Sequence, residues 1–315
     1  VTQPETGIVV VTYQSRAEIG ACLDAALATG AEIVVVDNAS TDRTVEEVRR
    51  RPVRLIANST NRGFAGAVNQ GFAALQSPYI LLLNPDSVLQ TGLESLREAC
   101  ALPGAAGAGG LLLDASGRPQ TGFMVRRFPT AAALSLEALL LNRVWPQNPV
   151  NRRYRALDID YSCRTEVEQP AGAFLMLRRS VWEELGGFDE SYYPLWFEEV
   201  DFCRRAADRG YRLYYDPNAV AKHTGAHSIA QLTVEMRRIY WYRSLLKYSA
   251  RHFRPLAFRG LCLAVAAGAV VRMLAETVLE RRLQPVAVYG EVVRLAGQAL
   301  LFGWRDGTAV TGPQV

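Results

Sequence analysis

From Ile8 to Leu83 the chain alternates short, unbroken apolar runs with stretches whose apolar positions recur at helical spacing. Ile8 to Tyr13 predicts a strand, and Arg16 to Ala28 a helix with Ile19, Cys22, Leu23, Ala26 and Leu27 on one side. Ile33 to Val36 is the second strand. Ser40 and Thr41 stand as caps before a helix over Thr44 to Arg51, with Glu46 and Glu47 in its first turns. Val53 to Ala57, Gly66 to Leu75 and Tyr79 to Leu83 follow as strand, helix and strand. Apolar runs without alternation suit strands covered on both faces, and their alternation with helices predicts a parallel sheet with right-handed crossovers.

Polar groups collect where these strands end: Thr12 and Tyr13, then Asp37 and Asn38, then Asn84, Pro85 and Asp86. Pro85 cannot donate to a ladder, so the fourth strand stops there and Asp86 lies beyond the carboxyl edge, where open parallel sheets bind ligands. A carboxylate at that edge can hold a divalent cation against a phosphate, or simply close a turn. Asp37 can accept the imide N–H of a uracil or thymine under the Tyr13 ring, or serve as a turn residue before a helix. After the first strand, TYQSRAEIG contains neither GxGxxG nor GxxxxGK[ST], so neither a dinucleotide fold nor a phosphate loop is signalled, which argues against a dehydrogenase. It also lacks the glycine-rich basic loop that a nucleotidyltransferase needs. Further on, NRGFAGAVNQG sets Gly63 and Gly66 where backbone can approach a ligand, between the amides of Asn61 and Asn69, and opens a helix whose first N–H groups favour an anion. A glycine-rich helix start packed for its own sake is the alternative.

The middle of the chain is less patterned. LLLDASGRPQ predicts a hairpin turning at Ser116 and Gly117, followed by one short helix and a long polar loop. Pattern returns at Gln169, with a turn at Gly172, a strand to Leu177 and a helix ending at Gly186 and Gly187. Tyr192, Tyr193, Trp196 and Phe197 then precede Glu198, Glu199 and Asp201 at a helix start. Rings beside carboxylates suit carbohydrate, and acids in a first helical turn also suit the helix dipole.

VVVTYQS, VVVDNASTD, NRGFAGAVNQG, LLLNPD, GAFLMLRRSVWEELGGFDE and WFEEVDFCRRAADRGYRLYYDPNAVAKH together resemble family 2 glycosyltransferases of the GT-A fold, in the rhamnosyltransferase-like branch. The resemblance covers about residues 7 to 228. It implies an α/β fold with a mainly parallel central sheet, and inverting transfer from a nucleoside diphosphate sugar with Mg2+ or Mn2+ on the diphosphate. It assigns the donor to Thr12, Tyr13, Asp37, Asn38, Asn61, Gly63, Phe64, Ala65, Asn69, Asn84 and Asp86, and the metal to Asp86 and His223. Gly172, Trp196 and Asp201 fall on the acceptor side. The family's DxD triad reads NPD here, so only Asp86 carries over as an anionic ligand. Inversion needs a carboxylate on the face opposite the leaving group, which Asp86, beside the diphosphate, cannot provide. The family's acidic pair aligns with Glu198 and Glu199. Helical spacing puts Glu199 on the side of Cys203 and Ala206, which favours it as the sheltered base. His227 has no matched role.

Composition adds limits. Five scattered cysteines without a CxxC pair argue against a disulfide framework and for a cytoplasmic chain, and VTQPETG shows no signal peptide. Residues 229–315 carry twelve Lys and Arg against five Asp and Glu, while the rest of the chain is net acidic. A boundary near Ser228 is therefore expected: a GT-A domain over 1–228, its donor half about 1–110 and acceptor half 111–228, then a helical region over 229–315. In that region Ile239, Tyr242, Leu246 and Phe253 form a stripe with Trp241, Leu245 and Tyr248 beside it and arginines around, the mixture of a helix lying at the inner face of a membrane. Gly260 to Val271, bounded by Arg259 and Arg272, is too short to cross a bilayer alone. Packing on the catalytic domain or on a second copy in a homodimer is the alternative. The expected function is transfer of rhamnose from dTDP-rhamnose to a bacterial surface glycan or its lipid-linked precursor, with UDP-galactofuranose or UDP-glucose as other donors and no nucleic acid partner. A protein that binds a sugar nucleotide without turnover is the reading from another class.

Overall fold

Covering both faces of the apolar runs brings the first strands together. In the computed structural model, which describes residues 4–225 and 232–305, β1 (Thr6–Thr12), β2 (Glu32–Asp37), β3 (Arg54–Ala57) and β4 (Tyr79–Leu83) lie parallel in the order β3-β2-β1-β4. The crossovers are α1 (Ile19–Leu27), α2 (Thr44–Arg49) and α3 (Gly63–Ala74). Ser40 and Thr41 do not cap α2: its preceding residue is Arg43 in left-handed backbone, and the Thr44 N–H goes to Asp42 Oδ1. Helix α3 starts earlier than its apolar spacing predicts, because Asn61 Oδ1 accepts the Gly63 N–H and Gly63 takes a φ of 75°. Its approach to β1 is close: a Cβ on Gly71 would lie 2.4 Å from Val9 Cγ1, and one on Gly7 2.7 Å from Leu75 Cδ1.

The sheet continues through strands from later in the chain. After β5 (Ser87–Thr91) come α4 (Leu93–Ala101), β6 (Ala105–Leu113) and the short β7 (Val125–Arg126). Three short helices, α5 (Ala131–Ala138), α6 (Leu141–Val144) and α7 (Pro149–Tyr154), replace the expected single helix and loop. Then β8 (Thr165–Val167), β9 (Gln169–Pro170), β10 (Phe174–Arg178), α8 (Arg179–Leu185), α9 (Glu198–Asp208) and β11 (Arg212–His223) complete the sheet region. Strand β10 inserts antiparallel between β4 and β6, and the order runs on as β6-β11-β5, with β8 on β11 and a separate β7-β9 pair. Strands β1 to β4, β6 and β11 point one way, so the α/β sheet is mainly parallel, as expected. Gly107 and Gly110 of β6 are required by this insertion, since a Cβ on either would meet Met176 O or Phe174 Cε1 within 2.5 Å.

Two compact units emerge. One comprises Val1–Phe128, Arg155–Glu190 and Glu198–Gln231; the other comprises Pro129–Tyr154, Ser191–Phe197 and Leu232–Val315. A single cut near Ser228 does not describe this division, because two earlier segments cluster with the C-terminal helices; Ser228 and His227 lie outside the described residues.

Within the second unit, α10 (Val234–His252), α11 (Pro255–Glu280) and α12 (Gln284–Phe302) follow one another. The interfacial stripe expected on α10 is instead packed: Tyr242, Leu245, Leu246 and Tyr248 are buried, and Lys247 lies over the Tyr192 ring. Arg238 is committed too, 2.6 Å from Glu276 and over the Tyr289 ring. The short apolar run 260–271 is part of α11, whose Pro255–Leu279 stretch has a mean hydropathy of 1.8 and is long and apolar enough to cross a membrane. Only a third of that stretch is buried.

The contact between α3 and β1 gives a direct test. Gly71→Ala should lower unfolding free energy by about 1–2 kcal/mol in chemical denaturation, overpacking of about 1–3 kcal/mol outweighing a helix-propensity gain of about 1 kcal/mol. A stabilised variant would mean that α3 stands off the sheet.

Candidate active site

The parallel register brings the first strand ends together. Thr12 and Asp37 are neighbours across β1 and β2, and the Thr12 hydroxyl donates to Asp37 Oδ1 at 2.8 Å. Ser40 donates twice to the same carboxylate, from its N–H at 2.9 Å and its hydroxyl at 2.6 Å, and accepts the Gln14 N–H at 2.9 Å. The loops after β1 and β2 are thus stitched through Ser40. Asp37 is almost wholly buried with three donors on it, leaving acceptor capacity for one more. Tyr13 is half-buried beside it. Asn38 extends the network: its amide donates to Gly63 O at 2.9 Å and accepts from Asn58 and from the Arg62 N–H. Gly63, Phe64 and Ala65 are therefore held at the same strand edge, Phe64 half-buried and Ala65 buried. Asn69 does not join them. Its side chain is spent on the Phe188 backbone, as donor at 2.9 Å and acceptor at 3.0 Å, and on Glu190, so it staples α3 to the turn after α8.

Asp86 and His223 meet through strand pairing rather than proximity in sequence. Strand β5 pairs antiparallel with β11 so that Ser87 faces His223, and the Thr224 N–H bonds to Asp86 O at 3.1 Å. His223 Nε2 then lies 3.5 Å from Asp86 Oδ1, both side chains buried. Burial pushes the His223 pKa below its ordinary value, with the Asp86 charge opposing. No hydrogen bond from the described residues reaches the Asp86 carboxylate. Asn84 N–H donates to Ala173 O at 3.0 Å, and its side chain is half-buried at the same turn.

The acidic helix start is reached from that turn through three residues. Ala173 O accepts from Asn84 N–H and, at 3.3 Å, from the Ser87 hydroxyl, while Gly172 lies against Glu199, a Cβ there falling 3.4 Å from Glu199 Cγ. Burial raises the Glu199 pKa above the usual carboxylate range; the helix-start N–H groups and the Arg126 charge only partly offset it. Glu198 is buried beside it in sequence. Asp201 corrects the expectation of an acceptor contact: it is wholly buried, and Arg205 Nε holds it at 2.7 Å while that guanidinium also donates to Leu185 O and Gly187 O. Trp196 belongs to the Ser191–Phe197 segment of the other unit, and it and Phe197 take the left-handed φ values 78° and 73° that bulky residues rarely adopt. Gln120 and Arg126 escape sequence reasoning, and Ser40 is read there only as a helix cap, since spacing alone does not show which distant groups they meet.

The family model described as Glycosyl transferase family 2 matches residues 7–186. An N-acetylglucosaminyl-diphospho-decaprenol L-rhamnosyltransferase of Mycobacterium tuberculosis is 29% identical over 276 residues, spanning 78% of this chain and 88% of its own. Rhamnosyltransferase WbbL of Escherichia coli is 26% identical over 193 residues, spanning 58% of this chain and 66% of its own. Among solved structures, a mannosyltransferase from Pyrobaculum calidifontis in complex with GDP-Man and Mn2+ aligns with a TM-score of 0.53 at 18% identity, covering 96% of this chain and 88% of that one. GalNAc-T7 with UDP, GalNAc and Mn2+ aligns with a TM-score of 0.55 at 14% identity, covering 78% and 50%. At such identities the likeness shows the fold alone, the GT-A arrangement.

The raised Glu199 pKa has a thermodynamic signature. A carboxyl that holds its proton more tightly folded than unfolded makes the native state bind more protons, so stability falls as pH rises through the ordinary carboxylate range towards the folded pKa. Glu199→Gln should therefore be more stable than the parent near neutral pH, and the difference should disappear below about pH 4, under the unfolded glutamate pKa. A stability difference that does not change with pH in urea titrations would refute the shift.

Proposed function

Because the chain belongs to glycosyl transferase family 2 and is a glycosyltransferase of its rhamnosyltransferase-like branch, we propose that it performs a metal-dependent, inverting transfer of a sugar from a nucleoside diphosphate donor to a glycan hydroxyl. One observation carries this reading. The Asn84–Asp86 turn, which would meet the donor diphosphate, is hydrogen-bonded to the same three-residue loop that packs on Glu199. Donor and acceptor chemistry would then be indexed to each other by Ala171–Ala173.

In this mechanism Asp37 accepts the imide N–H of the base with its remaining lone pair, and Tyr13 covers the ring. Asn38 holds the Gly63 turn so that backbone can follow the donor. Asp86 and His223 fit a divalent cation as a partial ligand set: a buried carboxylate that no described residue hydrogen-bonds faces a neutral-leaning imidazole. Among the described residues no three His, Cys, Asp or Glu side chains converge, so diphosphate oxygens would complete the shell. When bound, Mg2+ or Mn2+ would supply counter-charge for the departing nucleoside diphosphate. Glu199 takes the proton of the acceptor hydroxyl as its oxygen bonds to the anomeric carbon and the bond to the diphosphate breaks. A carboxylate sheltered enough to raise its pKa is a better proton acceptor than one in water.

The names of the two rhamnosyltransferase relatives support rhamnose as the sugar, for which dTDP-rhamnose is the donor of this reading, and the first name describes a diphospho-decaprenol acceptor, which supports a lipid-linked one. Glu199→Gln should lower turnover by about two to four decades with donor binding intact, the range for loss of a general base. Turnover lost in Glu198→Gln but kept in Glu199→Gln would exchange the two roles. Turnover kept in both would place the base elsewhere.

For a lipid-linked acceptor, the membrane contact moves from α10 to α11. Leu256, Leu263, Val270, Leu274 and Val278 follow helical spacing along one exposed side of α11, with Leu256 82% and Val278 75% accessible. In the same unit Trp145 is 62% exposed, and Arg254, Arg259, Arg281 and Arg282 stand exposed near the helix ends. Apolar side, tryptophan and arginines together suit an anionic leaflet. Leu263→Ser with Leu274→Ser should reduce co-flotation with phosphatidylglycerol vesicles. Unchanged flotation, or a dimer in solution that these changes dissociate, would assign the stripe to protein packing.

A further inference from the structure

The Asp86–His223 pair has a third partner that the sequence did not signal. Gln120, in the turn after β6, clamps His223 at two points: its Nε2 lies 2.8 Å from His223 O, and its Oε1 2.9 Å from His223 Nδ1. A backbone carbonyl can only accept, so the end of Gln120 facing it is the NH2 group. The other end is then the amide oxygen, which must receive a proton from Nδ1. A neutral imidazole carries one proton, so with Nδ1–H satisfied its Nε2 keeps a lone pair. That nitrogen is the one 3.5 Å from Asp86 Oδ1, and no hydrogen bond joins the two.

The clamp is itself held. Gln120 N–H donates to Leu112 O at 2.8 Å, and Gln120 O accepts from the N–H groups of Phe123 and Met124, each at 3.0 Å. Phe123 lies parallel to the His223 ring, 5.2 Å between centroids and 7° between planes, which opposes rotation about the ring's bond to the chain. The turn thus fixes both the protonated nitrogen and the ring plane.

We propose that Gln120 is a positioning residue: it sets His223 as the Nδ1–H tautomer and so aims the Nε2 lone pair, alongside the Asp86 carboxylate, at the cation of the sugar-nucleotide donor. The inference rests on the metal reading given above. Outer partners that orient a ligating histidine commonly change metal affinity by about 10–100-fold when removed. Without Gln120 the imidazole can instead place its proton on Nε2 and donate it to Asp86, which would tie up both ligands at once.

With three histidines in the chain, the test is accessible to 15N NMR of the imidazole nitrogens, assigned with His223→Ala. The full-length, metal-free protein should show His223 protonated at Nδ1; Gln120→Leu should shift it towards Nε2–H; Gln120→Glu, which keeps the acceptor, should hold the original tautomer. Mn2+ binding with dTDP or UDP present, followed by electron paramagnetic resonance, should weaken by about 10–100-fold in Gln120→Leu and much less in Gln120→Glu. An Nε2–H tautomer in the parent protein, or an unchanged tautomer in Gln120→Leu, overturns the proposal. If the tautomer shifts as stated but the parent protein binds no Mn2+ with either nucleotide, the metal reading falls while the tautomer assignment stands. Weakened Mn2+ binding to the same degree in both variants, without a tautomer change, would make Gln120 a structural support of the β11 end only.

Discussion

The carbonyl oxygen of Ala173 is the contact on which the site depends. It receives the Asn84 N–H and the Ser87 hydroxyl, and it can do so because β10 enters the sheet antiparallel beside β4, pairing Phe174 with Leu83. A buried carbonyl with two donors is worth more than its net hydrogen-bond energy, since losing them would leave it unsatisfied at a cost of about 1–3 kcal/mol. The same pairing ends β4 at a defined residue and so fixes where Asp86 emerges. Strand β6 adapts to it with glycines, since side chains at Gly107 and Gly110 would strike β10. A strand from late in the chain is therefore built into the edge that carries Asp86, and early and late strands share one sheet.

How legible each part was follows from which interactions specify it. Strands β1, β2 and β4 could be read because burial on both faces demands consecutive apolar residues, which are visible locally. Strand β6 could not: AAGAGGLLL lacks β-branched residues because its neighbour leaves no room for them. Asp37 and Asp86 were legible as polar residues ending apolar strands, whereas Ser40 reaches Gln14 across 26 positions, Gln120 reaches His223 across 103, and Arg126 acts through charge, none of which spacing encodes. Asn69 and Asp201 are the reverse case. Each carries functional-looking chemistry, but Asn69 is consumed by the Phe188 backbone and Asp201 by Arg205.

The C-terminal helices were misread for a related reason. Aromatic and basic residues on α10 look interfacial until their partners are known, and those partners, Tyr192, Phe197, Glu276 and Tyr289, come from elsewhere in the second unit. On α11 the arginines seemed to interrupt an apolar run. Arg272 does not, because its guanidinium turns to Glu137 O and Ala138 O at the end of α5, where a basic side chain suits the last carbonyls. Gly268, one turn earlier, lets that end approach. With Arg272 turned inward, the apolar side of α11 runs on unbroken past it.

Helix α9 shows how spacing alone assigns different tasks to like residues. Four positions after Asp201 stands Arg205, within reach across one helical turn, and it neutralises that buried carboxylate. Four positions after Glu199 stands Cys203, which offers no positive charge. Burial raises the Cys203 thiol pKa, and the Glu199 charge raises it further, so the thiol stays protonated and adds no negative charge of its own. Glu199 has no ion pair among the described residues, and Arg126 acts on it only through charge. A cation at position 203 would lower the affinity of Glu199 for a proton. The two environments therefore differ: Asp201 is paired with Arg205, which also holds the turn after α8, whereas Glu199, two residues away, is sheltered without such a partner and holds its proton more tightly, as the proposed base would require.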